Sequence, residues 1–394
     1  MLLIRLITAA LMFLGTTIAR ADDPSTWTLT TADFKQQTLV PVSLDDHTLA
    51  ARTQANEPPR TIPLSQFLEL ERVQYPAPNP AGHFVLHLLL GDQLIGEPVQ
   101  TLQEKLTWRN PILGDLPISL RQIAAIVRLG QSSANQMDSL PEDVVYLANG
   151  DSLHGILTTI DTGHLIIQPA VGDPATVPLD SVVRITFAAV ALPKTSNNPA
   201  FRLRFADGSS LVVAAVHLAN ERVQIKLSDN ATRDIPLSSI IAIEQLNGPV
   251  VWLSKVTPKE SIQIPYLSVT HPAQMGRNVL GRPIRYADRI YTHGIGVHSY
   301  SRLVYELDGQ YAAFRTQYAI DTTESDGRYA DVTVRILLDG RVVHEQAHFK
   351  AGTLSPVVKI PLKGASTLTL EVDYGQTMDV QDRFNWIEPA LLRN

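Results

Sequence analysis

The chain has 394 residues, 44% hydrophobic and 18% charged, so it is long enough for two or three domains with buried cores. Its formal net charge of −6 gives no electrostatic reason to expect a nucleic-acid partner. The absence of cysteine excludes disulfides, cysteine-ligated zinc, iron–sulfur clusters and a thiol nucleophile.

The N-terminus has the pattern of a secretory signal peptide. Arg5 precedes the apolar run Leu6–Ile18, and a small-x-small sequence follows at residues 19–21. We therefore predict a signal peptide over residues 1–21 and a mature protein that is secreted or periplasmic. An uncleaved anchor is the alternative, although the apolar run of about 13 residues is short for a bilayer. No membrane span is expected after the signal is removed.

The next part of the chain contains four segments with the same sequence pattern. In each, a turn is followed by a leucine, and a second apolar stretch further along contains another leucine. The two leucines lie 15 residues apart in the first copy and 26 apart in the others: Leu49 and Leu64, Leu94 and Leu120, Leu153 and Leu179, Leu211 and Leu237. The equal spacings predict one supersecondary unit used four times, with the first copy shortened by about a hairpin.

Each unit of about 60 residues has the pattern of about five short strands. Asn149-Gly150 and Asp207-Gly208 are predicted two-residue hairpin turns, because both positions tolerate positive φ. Pro63, Pro178 and Pro236 are placed at strand starts. The expected small bent barrel resembles an Sm-like fold loosely, but RNA binding is not expected because the units are not basic. We interpret the repeats as a scaffold or protein-contact array, with cell-envelope proteins as candidate partners.

The predicted fold class is all-β, with tandem small bent-sheet or barrel repeats followed by a C-terminal jelly-roll β-sandwich. Polar linkers, "QSSANQMDSLPED" and "LPKTSNNPA", separate the second, third and fourth units. The expected divisions are a signal peptide (1–21), a shortened β repeat (22–80), a second repeat (81–131), a third (140–192), a fourth (199–248), a connector (249–261) and the sandwich (262–394).

The last third of the chain alternates aromatic or β-branched residues with polar ones, which predicts a sandwich of eight or so strands. It contains, in order, "THGIGVHSYSRLVYEL", the hairpin "ADVTVRILLDGR", "STLTLEVDYG" and the closing "QDRFNWIEPAL". These motifs resemble those of the NPCBM family of carbohydrate-binding modules, which have a galactose-binding-like jelly-roll fold. The resemblance implies a glycan or polysaccharide as the partner and no cofactor.

Sugar binding would use stacking aromatic rings and planar hydrogen-bonding groups. The candidate carbohydrate-binding residues are Tyr300, Arg328, Tyr329, Asp382, Arg383 and Trp386. The family typically ends with an Asp-His-x-x-Trp-like pattern, and here Arg383 stands in place of the histidine. Trp386 lies beside Ile387 in the last predicted strand, so a core position is its alternative. His298 is interpreted as a hydrogen-bonded structural residue near a sheet edge.

The segment "RVVHEQAHFKAG" contains His344, Glu345 and His348 in the H-E-x-x-H pattern of zinc peptidases. That pattern binds zinc only on a helix, where residues i and i+4 lie one above the other. Asp339-Gly340 before it and Gly352 after it predict a hairpin strand instead. On a strand the histidines would stand about 13 Å apart, too far for one ion. We therefore expect no zinc site and no peptidase.

Other chemistry is weakly indicated. Asp321, Glu324 and Asp326 form a candidate structural Ca²⁺ site, whereas His293 and His298 are predicted to face opposite sides of a strand. Glu69 and Glu71 alternate on a strand and are interpreted as a solvated face.

The leading hypothesis is an exported, non-catalytic protein whose C-terminal module binds carbohydrate. The alternatives are a structural or assembly protein that uses the sandwich for protein contacts, and a glycoside hydrolase.

Overall fold

In the computed structural model, the protein is built from β-strands and single-turn 3-10 helices, which confirms the all-β prediction. None of the described helices is long and apolar enough to cross a membrane. The structure describes residues 26–54, 57–75, 80–130, 141–188, 200–227, 230–266, 269–287 and 289–393. The predicted signal peptide and most of the two predicted linkers lie outside the described residues.

Four repeat units form the first part of the chain, each with a 3-10 turn before its last strand. The first and second units contain β1 (Trp27–Thr31), β2 (Gln36–Leu44), β3 (Thr48–Arg52), β4 (Arg60–Pro63), β5 (Phe67–Arg72), β6 (Phe84–Leu88), β7 (Gln93–Leu102), β8 (Lys105–Asn110), β9 (Gly114–Ser119) and β10 (Ile123–Arg128). The third and fourth contain β11 (Asp143–Leu147), β12 (Ser152–Ile160), β13 (His164–Gln168), β14 (Ala175–Pro178), β15 (Val182–Thr186), β16 (Ala200–Phe205), β17 (Ser210–Val213), β18 (Ala215–Ala219), β19 (Arg222–Lys226), β20 (Thr232–Pro236) and β21 (Ile240–Leu246). The turns lie at Leu64–Gln66, Leu120–Gln122, Leu179–Ser181 and Leu237–Ser239.

Within each unit the strands pair antiparallel in the order fifth, first, second, third, fourth. The second strand changes register after Pro41, Pro98 and Leu157 in the first three units, and it is divided between β17 and β18 in the fourth. Such a bulge bends a strand, so one end pairs with the first strand and the other with the third. This bend produces the small, strongly curved sheet.

The first unit is not shortened, so that prediction was wrong. Leu49 lies in a third strand, whereas Leu94, Leu153 and Leu211 lie in second strands. The position that matches them in the first unit is Gln37, because Gln37 precedes the bulge by four residues, as Leu94 and Leu153 do. Because Gln37 is polar, the leucine pattern did not identify the second strand of the first unit and selected Leu49 of the third strand instead.

Two details of the strand ends also differ from the prediction. Pro63, Pro178 and Pro236 end a strand and lead into the 3-10 turn instead of starting a strand. Asn149-Gly150 and Asp207-Gly208 lie in four-residue connections in which the glycine, at φ 91° or 95°, has positive φ and its predecessor does not. Glycine adopts this conformation without the steric cost that a Cβ would add.

The units associate in two pairs, the first with the fourth and the second with the third. Strand β5 pairs with β21 and aligns Leu70 with Ile243, while β10 pairs with β15 and aligns Ile126 with Ile185. Each of these four residues is the fourth residue of its strand. The two pairs therefore have the same antiparallel register, with the pseudo-two-fold relation typical of symmetric dimers.

An arginine at the end of the fifth strand holds each pair together. Arg72 donates to two carbonyl groups at the 3-10 turn of the fourth unit, at 2.9 and 3.1 Å. Arg128 makes the equivalent bonds across the other pair, from Nε to the Val182 carbonyl (2.8 Å) and from Nη2 to the Leu179 carbonyl (2.7 Å). Hydrogen bonds from a charged donor are stronger than neutral ones, so these contacts add to the strand pairing.

The C-terminal sandwich consists of two antiparallel sheets and a short hairpin. The six-stranded sheet contains β22 (Val250–Trp252), β24 (Gln274–Met275), β27 (Gly294–His298), β29 (Tyr311–Ile320), β32 (Val358–Pro361) and β34 (Arg383–Arg393). The five-stranded sheet contains β23 (Glu260–Gln263), β28 (Ser301–Glu306), β30 (Val332–Leu338), β31 (Arg341–Phe349) and β33 (Thr367–Tyr374). The hairpin is formed by β25 (Ile284–Tyr286) and β26 (Arg289–Tyr291), and a fifth 3-10 turn spans Leu253–Lys255.

Residues 249–261, expected to be a connector, contribute a strand to each sheet. β22 pairs with β34, and β23 pairs with β28. The prolines at 258 and 265 suggested a linker, but the alternating residues around them complete the two sheets. The sandwich therefore starts at β22, immediately after the fourth unit.

An aromatic contact joins the repeat array to the sandwich, and we call it the junction. The Trp252 ring stacks on His293, with centroids 4.2 Å apart, and meets the edge of Phe34 of the first unit at 5.6 Å. His293 Nε2 lies 3.1 Å from a carboxylate oxygen of Glu244 in the fourth unit. Trp252 and Leu68 belong to the same small buried apolar cluster. The pair formed by the first and fourth units therefore carries the sandwich.

Glu69 and Glu71 belong to a charged group beside the junction, and their side chains are 31% and 39% exposed, so the predicted solvated face is only partly open to solvent. Arg204 of the fourth unit contacts both carboxylates, at 3.1 and 2.8 Å. Burial is the main cause that raises the pKa of Glu69 to about 7, and repulsion from the nearby Glu71 carboxylate adds to it. Strand β21 pairs with β5 on one side and with β16, which carries Arg204, on the other, and these pairings place the three side chains together. The sequence of any one strand does not indicate this.

Candidate functional site

Four segments meet at one end of the sandwich, which we call the loop end: residues 264–266, 299–300, 321–331 and 375–382. Asp382 joins three of them, because its fully buried carboxylate accepts hydrogen bonds from Ser299 Oγ (2.6 Å) and the Asp331 backbone N–H (3.0 Å). Burial raises the pKa of Asp382 to about 7. Asp382 therefore holds the loops and does not reach a ligand, contrary to the prediction.

Three tyrosines form an aromatic cluster at the loop end: Tyr266, Tyr300 and Tyr374, here called the tyrosine cluster. Tyr266 and Tyr374 meet edge to face with centroids 5.7 Å apart, and the Tyr300 ring lies 6.4 Å from Tyr374. The Tyr374 hydroxyl donates to the Ile264 carbonyl, and the Tyr266 N–H donates to Asp379 (3.0 Å). Tyr266 remains 52% exposed. The cluster thus offers fixed aromatic surface to solvent.

Tyr300 is oriented by a charged group on the outer face of the five-stranded sheet. Its hydroxyl donates to Glu371 (2.9 Å), and Arg335 donates to the other Glu371 oxygen (2.9 Å). Arg335 also bonds Glu345 and Asp373, at 2.7 and 2.9 Å. Burial and the Glu371 carboxylate raise the pKa of Tyr300 to about 12. Because the hydroxyl is engaged with the sheet, the ring face is what Tyr300 can present to a ligand.

Two stacked histidines lie beside the tyrosine cluster. The His298 ring stacks on His271 with centroids 4.7 Å apart, and its Nδ1 lies 3.2 Å from the Ser299 carbonyl. Burial lowers the pKa of His298, which favours the neutral ring. His298 is thus a buried, hydrogen-bonded residue at the start of the 299–300 segment.

Arg328 and Tyr329 lie next to each other on the 321–331 segment. Arg328 is exposed and pairs with Asp326 through Nε at 2.7 Å. Tyr329 is 54% exposed, and its carbonyl accepts a hydrogen bond from Thr377 (2.6 Å). Arg328 lines an open groove of about 550 Å³ together with Thr322, Asp326, Gly327, Lys350, Ala351 and Gly352. Both predicted residues are therefore accessible at the loop end.

Trp386 and Arg383 occupy different positions from those expected of ligand contacts. Trp386 is 0% exposed and packs against Tyr318 and Phe384, so the core alternative describes it. Arg383 is half-buried, and its Nη2 donates to Ser325 Oγ (2.8 Å). An indole suits a pyranose chemically, but the Trp386 ring belongs to the apolar core of the sandwich and does not reach solvent.

The candidate Ca²⁺ ligands do not converge. Asp321 is buried and accepts hydrogen bonds from Thr323 and Asn385, Glu324 pairs with Arg282, and Asp326 pairs with Arg328. Across the described ranges, no group of three or more histidine, cysteine or acidic side chains is arranged to hold a metal ion. Each carboxylate already has its own partner, so the loop is held without a shared ion.

The H-E-x-x-H residues lie on strand β31, as predicted. His344 Nε2 contacts the Tyr318 hydroxyl at 2.8 Å, whereas His348 Nδ1 lies 3.2 Å from Asp331. Since the two rings contact different partners, they do not converge on one ion. His293 and His298 are also separate, because His293 belongs to the junction and His298 to the loop end.

Sequence reasoning missed three residues of the loop end: Tyr266, His271 and Tyr374. Tyr374 ends strand β33 in "LEVDYG", directly before a glycine, which is a usable signal for an aromatic residue at a strand end. Tyr266 and His271 follow β23 in a proline-rich segment at the start of the predicted sandwich, where no sequence pattern marked them as site residues. Only the pairing of β23 with β28 brings that segment to the loop end.

Residues 250–392 match the NPCBM/NEW2 domain family, so the C-terminal part of the chain is a domain of this class. A comparison with curated proteins gives no match. Among solved structures, the chain is similar to CBM51 from Clostridium perfringens GH95 in complex with methyl-galactose, at 24% identity over 36% of this chain and 99% of that one (TM-score 0.32). It is also similar to CBM51-2 in complex with GlcNAc and INT domains from Clostridium perfringens ZmpB, at 20% identity over 45% and 37% (TM-score 0.34). A third is the pair of tandem CBM51 modules of the family 98 glycoside hydrolase from Streptococcus pneumoniae SP3-BS71, at 11% identity over 93% and 88% (TM-score 0.33).

Proposed function

We propose that the protein is exported, has no catalytic activity of its own and binds glycan through the loop end, with the repeat array as the scaffold that carries the module. The observation that carries the proposal is the exposed tyrosine cluster on an NPCBM/NEW2 domain. Aromatic rings stack on the apolar faces of sugar rings, and a few fixed polar groups then determine orientation. Asp379, which accepts from the Tyr266 N–H, supplies such a group beside the cluster.

Glycan binding is tested with the full mature chain against a panel of immobilised glycans. We expect Tyr266→Ala to weaken binding about tenfold, because it removes an exposed stacking surface without opening the core. Tyr75→Ala is the matched control, since Tyr75 is an exposed tyrosine of the repeat array. A folded protein that binds none of the glycans contradicts the proposal.

The two remaining parts of the proposal have separate tests. Export predicts that the mature protein recovered from the periplasm or medium starts at Asp22, which N-terminal mass spectrometry measures. A protein of intact mass found only inside the cell contradicts export. The absence of catalysis is supported by the strand position of the H-E-x-x-H residues. Turnover of glycosides that a single Asp or Glu substitution abolishes would establish a hydrolase instead.

The second candidate function is a structural or assembly role in which the sandwich contacts other proteins. Exposed apolar side chains at the loop end favour it: Ile264, Met378 and Val380 are each between 45% and 54% exposed. Exposed apolar groups of this kind often mark protein contacts. Cross-linking in intact cells with wild type and a Met378→Glu, Val380→Glu variant tests it. A partner lost only in the variant, with glycan binding intact, supports this role.

A further inference from the structure

The groove beside Tyr329 has features of a ligand subsite that differ from those of the tyrosine cluster. It lies between the 321–331 segment and the turn that follows β31, and its volume is about 550 Å³. Three of its seven lining residues are Gly327, Ala351 and Gly352. A Cβ at Gly327 would lie 2.9 Å from Ala351 Cβ, and the φ of +65° there also favours glycine. Small residues thus keep the groove open and its backbone accessible.

The charges that line the groove do not cancel. Arg328 is neutralised by Asp326, which it contacts at 2.7 Å. Lys350 is exposed, and no ion pair or hydrogen bond of its ammonium group occurs within the described part of the chain. The groove therefore presents one uncompensated positive charge beside the Thr322 hydroxyl and an Arg328 whose guanidinium still has free N–H groups.

We propose that this groove binds the negatively charged group of an acidic sugar residue, so that the glycan recognised at the loop end is anionic. The inference rests on the proposed function and names the chemical class of its ligand. A neutral hexose gains no ion pair with the exposed Lys350, whereas a carboxylate or a sulfate ester pairs with it and accepts from Arg328 and Thr322. Tyr329, which follows Arg328 in the chain and is 54% exposed, is the nearest aromatic residue in sequence that could offer its ring to the sugar that carries the anion.

Binding of three matched oligosaccharides to the full mature chain tests the proposal: a uronic-acid oligosaccharide, its carboxyl-reduced neutral form and a sulfated neutral form. We expect the uronate or the sulfated sugar to bind about tenfold more tightly than the neutral one at low salt. That preference should decrease as salt is raised, because the groove is open to solvent. Which anionic sugar binds distinguishes a carboxylate from a sulfate ester.

Lys350→Met keeps most of the apolar stem and removes the charge, so it should abolish the preference for the anionic sugars. Lys363→Met is the matched control, because Lys363 is exposed in the turn between β32 and β33, at the other end of the sandwich. Equal affinity for charged and neutral sugars, unaffected by Lys350→Met, overturns the anionic subsite and leaves the proposed function standing. A folded protein that binds no sugar of any kind overturns both.

Discussion

Replacing Trp252 with alanine removes the aromatic ring that joins the repeat array to the sandwich. The ring is 7% exposed, stacks on His293 at 4.2 Å and meets Phe34 at 5.6 Å. Buried Trp→Ala changes cost about 3–5 kcal/mol. The indole N–H has no hydrogen-bond partner among the described contacts, so no polar partner is left unsatisfied. We therefore expect a loss of about 4 kcal/mol in the free energy of unfolding, most of it from the junction.

Calorimetry and denaturant unfolding, followed by probes in each half of the chain, measure the consequence. With the junction intact, we expect the array and sandwich to unfold in one cooperative transition. Trp252→Ala should separate this into two transitions, because the array and the sandwich each retain their own large apolar core. Two separate transitions would show that the contact between array and sandwich is lost while both cores remain folded.

Trp108→Ala is the matched control, since Trp108 is also a buried tryptophan but belongs to the core of the array. It should destabilise the array by a similar amount without releasing the sandwich. A single transition in Trp252→Ala, or a cost under about 1 kcal/mol, would contradict coupling through the junction, because that cost is below the range for a buried ring.

Three further changes test the pairing of the units, the support of the tyrosine cluster and the buried carboxyl group at the loop end. Arg128→Ala should lower the free energy of unfolding by about 2–3 kcal/mol, because two carbonyl groups lose a charged donor. The exposed Arg121→Ala should cost under about 1 kcal/mol in the same denaturation experiment. Glu371→Ala should weaken glycan binding more than Glu371→Gln, whose amide oxygen can still accept from Tyr300; equal losses in binding assays contradict the orienting role. The raised pKa of Asp382 means that the folded state binds more protons than the unfolded state between pH 3.8 and about 7. Stability should therefore fall as pH rises through that window, and Asp382→Asn should flatten this slope in unfolding experiments from pH 4 to 8.

The repeats show which features local patterns can and cannot predict. The strand content followed from alternation, and β19, for example, buries only Val223 and Ile225 of its five residues. The association of the first unit with the fourth could not be predicted from local alternation, because paired residues such as Leu70 and Ile243 are far apart in sequence. Register between distant strands depends on tertiary packing, which one sequence does not display.

At the loop end, the sequence predicted which side chains are chemically suited to a sugar but not which of them are exposed. Tyr300 and Tyr329 were predicted because aromatic residues in loops suit sugars, and the structure places both at the loop end. Asp382 and Trp386 have equally suitable side chains but are fully buried, one tying loops together and the other filling the core. Burial depends on how the sheets pack, so side-chain type alone could not separate these two cases.

Strand β34 runs from the loop end of the sandwich to the junction. The first residues of β34 lie beside the loop end, where Arg383 is opposite His298 in the backbone pairing of β34 with β27. The last residues of β34 pair with β22 at the junction. From Arg383 to Leu392 an extended strand spans about 30 Å, so the array contacts the sandwich at the end opposite the loop end. Perturbing the junction should then leave the loop end undisturbed. Glycan affinity that stays at the wild-type value in Trp252→Ala, despite lost cooperativity, indicates that the array presents the module without shaping its site, whereas a reduced affinity requires a path of coupling along β34.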